Sequence, residues 1–96
     1  MKRDNILYTL ARFRELKQDE FGIVRIGVFG SAARDEITEA SDVDIVVELE
    51  RPDLLTLVGI KQELEELLRR PVDIVRYRER MNDYLKRQIE REAVYV

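Results

Sequence analysis

The chain has no cysteine and no histidine, and these two absences remove more chemistry than any residue present. Without cysteine there is no disulfide and no thiol nucleophile. Without histidine there is no imidazole base, no Ser-His-Asp triad and no zinc site of the His/Cys type. Long apolar runs are missing too, so nothing approaches the roughly 20 residues of a membrane span. The opening MKRDNILYTL is broken by Asp4 and Asn5 before an apolar block develops. It therefore reads as no signal peptide, and the expected compartment is the cytoplasm. Any catalysis must run on carboxylates, hydroxyls, lysine or arginine, with a hard metal ion that prefers oxygen ligands as the available helper.

What is there is one domain's worth of chain, 96 residues, with 45% hydrophobic and 39% charged residues. That balance is of a globular protein and not a disordered one. There is no repeat, no low-complexity tract and no Pro/Gly/Ser linker, so residues 1–96 are expected to form a single domain. A net charge of -3 argues against stable nucleic-acid binding through the overall field. The charge is uneven, however. Between Arg69 and Arg91 stand eight basic residues and four acidic ones, either a solvated helical face or an anion-facing surface.

Ile6, Leu10 and Phe13 recur at helical spacing in a first helix that Asp4 could cap and that ends near Gln18–Gly22. Ile23–Phe29 reads as a strand with Val24, Ile26 and Val28 on one face. Gly30 stops it, and a short helix from Ser31 to about Ile37 follows. Val43–Leu49 is a second strand. After Pro52-Asp53 comes a long amphipathic helix with a stripe of Leu54, Leu57, Val58, Ile60, Leu64, Leu67 and Leu68. Pro71 ends it, and Val72–Tyr77 is a third strand. A last helix, about Arg78–Arg91, carries Met81, Leu85 and Ile89, and the apolar Ala93–Val96 segment packs down behind it. Apolar residues such as Leu55 and Tyr84 are read as either interface or core, with core the preferred reading. The class is mixed α/β.

The informative stretch is GVFGSAARDEITEASDVDIVVELE, Gly27–Glu50. Asp42 and Asp44 lie two apart at the head of a strand, so their carboxylates share a face and repel unless a cation or a donor cluster offsets them. Taken alone, such a pair is more often a turn cap and an exposed strand-edge residue. Asp73, in PVDIV, heads the next strand. A helical connection makes those two strands parallel with a right-handed crossover, which sets Asp73 beside Asp42 and Asp44. Three carboxylates and no histidine suit Mg²⁺ or Mn²⁺. If the first strand runs antiparallel to the second, Gly30-Ser31 reaches the same sheet end. A helix N-terminus there offers free N–H groups to phosphate, Gly30 lets the anion approach, and the Ser31 hydroxyl adds a donor.

GS, ten intervening residues, DVD and a later VDIV together resemble the polymerase-β-like nucleotidyltransferases, and most closely the minimal nucleotidyltransferases of prokaryotes. The resemblance runs through nearly the whole chain, to the ending IEREAVYV. It implies a small mixed three-stranded sheet flanked by about four helices. It assigns Gly30 and Ser31 to the triphosphate, with Arg34 and Ser41 in supporting nucleotide-binding roles. Asp42 and Asp44 become metal ligands, and Asp73 the third carboxylate, which helps hold a metal and activate the attacking hydroxyl. Many relatives carry glycine where this chain has Asp35, whose side chain is therefore expected to face solvent.

The implied reaction is transfer of AMP from ATP to an acceptor hydroxyl, with Mg²⁺ or Mn²⁺. So short a chain lacks a second domain to present the acceptor, which points to a partner protein. The family acts with helical HEPN-domain ribonuclease toxins, some of which are silenced by AMPylation of a tyrosine. The resemblance thus implies an antitoxin that modifies its toxin and associates with it, the basic C-terminal third being a docking face. The alternative is an antitoxin that works by contact alone, its nucleotide site vestigial.

Overall fold

The structure is a computed structural model that describes residues 1–96. Helix α1 (Arg3–Phe21) forms where expected and buries Ile6, Leu10 and Phe13 along one line. Asp4 sits in its first turn, not at the cap. The cap position, Lys2, supplies no side-chain acceptor, and a remote residue does so instead: Asp35 Oδ1 accepts the Arg3 N–H at 2.8 Å. Gly22, at φ 66°, closes the helix, a left-handed conformation that costs glycine nothing.

Strand β1 (Ile23–Phe29) and strand β2 (Val43–Leu49) have the predicted bounds and run antiparallel. Their register slips between Ile23 and Arg25. Val24 is consequently 41% exposed and, contrary to strict alternation, does not share a face with Ile26 and Val28. Between the strands, helix α2 (Gly30–Ala33) is a single four-residue turn, shorter than predicted, because Arg34 leaves helical geometry and Asp35 turns into φ 58°. Ser31 lies within it and Phe29 at the cap position.

Helix α3 (Leu54–Leu68) starts at Asp53, whose carboxylate accepts the Leu55 N–H at 2.9 Å. Its buried line is narrower than the predicted stripe. Ile60, Leu64 and Leu68 are buried and Leu57 packs partly, whereas Leu54, Val58 and Leu67 are exposed. One line suffices because α1 lies beside α3 on the same side of the sheet. Strand β3 (Val72–Arg76) is parallel to β2. Helix α4 (Asp83–Glu92) begins later than expected, where the Asn82 side chain accepts the Leu85 N–H. Leu55 and Tyr84, read from sequence as core, are 79% and 77% exposed.

The apolar C-terminus does more than pack down: Val94–Tyr95 forms β4, antiparallel to β1. The sheet thus has four strands, order β3-β2-β1-β4, one more than the resemblance implied. Gly27 makes this possible, since a Cβ there would overlap the Val94 carbonyl. Arg25 clamps the new edge. Its guanidinium lies 4.5 Å from the Tyr95 ring centre and 4.7 Å from that of Tyr77, and it pairs with Glu48 at 2.8 Å.

Alternation then sorts the side chains. Ile26, Val28, Val43, Ile45, Val47 and Val72 face α1 and α3 in one large cluster. Phe29, Val46 and Val75 face Ile89, Met81 and Leu85 of the α4 segment in a much smaller one. Asp44 and Asp73, in step with Val46 and Val75, stand on the α4 side.

Candidate active site

Register brings the predicted residues together. Phe29 is paired with Asp44, and Asp44 with Asp73, across three adjacent strands. The antiparallel β1–β2 pairing and the parallel β2–β3 pairing therefore deliver the Gly30-Ser31 turn and the aspartates to one sheet end, as the sequence argument required. Asp42, one residue before β2, has the same parity as Asp44.

Gly30 is the contact point. It is buried, at φ 65°, and a Cβ on it would overlap the Asp44 carboxylate. Glycine is thus demanded twice, by the left-handed backbone and by the carboxylate lying against its Cα. Burial pushes the Asp44 carboxyl above the ordinary carboxylate range, and the charges of Asp73 and Asp42 push it further; Arg34 opposes them. A carboxylate held against its own charge in this way is a mark of a functional site.

Asp42 and Asp73 are exposed and make no side-chain hydrogen bond with the protein. As the side chains stand, no three carboxylates converge closely enough to ligate one ion. The donor set nonetheless fits a hard divalent cation: all its ligands are oxygen, and the repulsion at Asp44 is what such an ion relieves.

Around this core the structure separates the supporting residues. Arg34 pairs with Glu92 at 3.1 Å and with Glu36 at 3.3 Å. The Ser41 hydroxyl accepts the Thr38 N–H at 3.1 Å and meets the Thr38 hydroxyl, so it is engaged in folding its own turn. Arg70 fastens the same turn through the carbonyls of Thr38 and Ser41. Asp35 is exposed, as expected, and its carboxylate reaches back to α1, away from the carboxylates of the site.

Sequence reasoning missed Glu92. Its carboxylate accepts the Gly30 N–H at 3.2 Å and the Arg34 guanidinium at 3.1 Å. A signal was present: Glu92 stands three residues beyond Ile89, so it continues the apolar line of Met81, Leu85 and Ile89 with a charge. The largest concavity, about 600 Å³, lies elsewhere, between α1 and α3, and is lined by Leu16, Lys17, Glu63 and Leu67 among others. It shares no residue with the aspartate end of the sheet.

Known proteins place the chain. The family model described as a nucleotidyltransferase domain matches residues 10–96. A protein adenylyltransferase, MntA, of Thermococcus cleftensis is 41% identical over 87 residues, covering 90% of this chain and 86% of that one. A Methanocaldococcus jannaschii chain with a provisional protein-adenylyltransferase name is 47% identical over 76 residues, 78% of this chain and 81% of its own. A solved structure provisionally described as a minimal nucleotidyltransferase superposes with TM-score 0.81 at 37% identity, covering 98% and 95% of the two chains. A toxin–antitoxin structure with AMP-PNP shares the fold at TM-score 0.74 and 24% identity, over 88% and 69%. The chain belongs to the nucleotidyltransferase domain family, as an enzyme of its minimal type.

Proposed function

We propose that this enzyme transfers AMP from ATP, with Mg²⁺ or Mn²⁺, to a tyrosine hydroxyl of a HEPN-type ribonuclease toxin and so acts as its antitoxin. The observation that carries the reading is the register that aligns Phe29-Gly30, Asp44 and Asp73 at one sheet end. Relatives named as protein adenylyltransferases support the type of acceptor, and the toxin–antitoxin assemblies of the same fold support the partner.

Asp42, Asp44 and Asp73 would hold the divalent ion. When bound, it would neutralise phosphate oxygens and make the acceptor hydroxyl easier to ionise. The rest falls to the chain itself. Gly30 and Ser31 orient the triphosphate through backbone N–H groups and the Ser31 hydroxyl, with Arg34 beside them. Ser41, through its bonds to Thr38, keeps the loop before Asp42 in shape. The acceptor oxygen attacks the α-phosphorus, the bond to the bridging oxygen breaks and pyrophosphate leaves. Asp73, exposed at the edge of the cluster, accepts the hydroxyl proton. Such catalysis rests on positioning and charge stabilisation, which a shallow carboxylate site can supply.

The test is the intact mass of a HEPN-type partner after incubation with the chain, ATP and Mg²⁺. Adducts in whole AMP units are expected, absent with EDTA and reduced at least about 10³-fold in rate by Asp42→Ala/Asp44→Ala. A tight complex without adduct under any nucleotide would leave a contact antitoxin with a vestigial site.

A further inference from the structure

Glu92 is a carboxylate in a place that electrostatics disfavours. It is the last residue of α4, where the helix dipole opposes negative charge. Its charge also works against ionised Asp44, and its side chain is only 20% exposed. What holds it there is a set of three donors: one oxygen accepts the Gly30 N–H and the Gln88 amide, the other accepts Arg34 Nη1. A backbone N–H and a guanidinium bridged by two oxygens of one anion is also how a phosphate is gripped. Gly30 and Arg34 are the donors assigned above to the triphosphate.

We propose that Glu92 is an internal competitor of the triphosphate, occupying Gly30 and Arg34 until the distal phosphates displace it; the inference rests on the reading of this sheet end as a nucleotide site. A ligand takes these donors only if it brings more negative charge to them than Glu92 does. The distal phosphates of a nucleoside triphosphate do so, and a monophosphate has none to offer. On binding, Arg34 exchanges Glu92 for phosphate and keeps its second carboxylate partner, Glu36. Glu92 stands at the helix end, followed by extended Ala93, so its side chain can swing without disturbing a helical turn.

The experiment measures equilibrium binding of α,β-methylene-ATP, which cannot be cleaved at the α-phosphate, and of AMP, each with Mg²⁺. The full chain is compared with Glu92→Gln, whose amide oxygen still accepts the Gly30 N–H. Removing the competing charge should tighten the triphosphate analogue about 5- to 20-fold. AMP, with no group at the contested donors, should change by less than about twofold. Equal or weaker binding of the analogue by E92Q overturns the inference, as does an equal gain for AMP. Should E92Q melt early, Glu92→Ala tests the same direction by freeing the same donors. Failure of the wild-type chain to bind either nucleotide is a separate result: it overturns the nucleotide site itself, and the inference with it.

Discussion

The two faces of the sheet have been built to different ends. Toward α1 and α3, a 16-residue cluster closes over Ile26, Val28, Ile45 and Val47. Toward α4, only Phe29, Val46 and Ile89 are fully buried, and the sheet end beside them carries Asp42, Asp44 and Asp73. Neighbouring residues of one strand divide accordingly: Ile45 is buried in the large cluster, and Asp44 faces α4 with its charge opposed by burial and by Asp73 and Asp42. A strand alternating at period two lets one short chain keep cohesion and reactivity on opposite sides.

The largest expected difference between the faces is in stability. Leu64→Ala, in the closed cluster, should cost about 2–5 kcal/mol, whereas half-buried Leu85→Ala should cost about 1 kcal/mol, both read from urea unfolding. Equal costs would mean the α4 side is as cohesive as the other.

Gly30→Ala comes next. The left-handed backbone alone penalises a Cβ by about 1–2 kcal/mol, and displacing the Asp44 carboxylate adds to it. Transfer should fall more steeply than stability, which paired rate and unfolding measurements would separate.

Asp44→Asn should act in the opposite sense on stability. A carboxyl whose folded pKa is raised favours the fold while protonated and opposes it once pH rises through that folded value. Without divalent ions, wild-type Tm should therefore decline as pH climbs through Asp44's titration, and Asp44→Asn should lack that decline and melt higher at neutral pH. Added Mg²⁺ should raise the wild-type Tm and leave the variant nearly unchanged.

The smallest effect is expected at Asp35→Gly. Relief of φ 58° and loss of the remote cap on Arg3 are each worth about 1 kcal/mol and oppose one another. A Tm within about 2 °C of wild type is expected.

Much of this arrangement was legible in the sequence. The strand bounds of β1 and β2 and the parallel β2–β3 pairing followed from period-two patterning, a glycine stop and crossover handedness; the antiparallel β1–β2 pairing entered only as the condition for Gly30 to meet the aspartates, and the structure meets that condition. What escaped depends on partners distant in sequence. A two-residue strand such as Val94–Tyr95 has no periodicity to read, and its existence rests on Gly27 lacking a Cβ. Asp35 was expected only to face solvent, because its partner, the Arg3 N–H, lies 32 residues away. Glu92 lay just past the expected end of the last helix at Arg91 and drew no reading, although its position in line with Ile89 set it apart. The exposure of Leu55 and Tyr84 was misread because apolar type says little about burial at a helix surface.

The most direct measurement is a residue-resolved NMR titration of the full chain with Mg²⁺ and α,β-methylene-ATP. The account predicts that amide shifts concentrate at Gly30, Ser31, Asp42, Asp44 and Asp73, with Leu10, Phe13 and Leu64 on the closed face unmoved. Shifts centred instead on Leu16, Lys17 and Glu63, in the groove between α1 and α3, would contradict it.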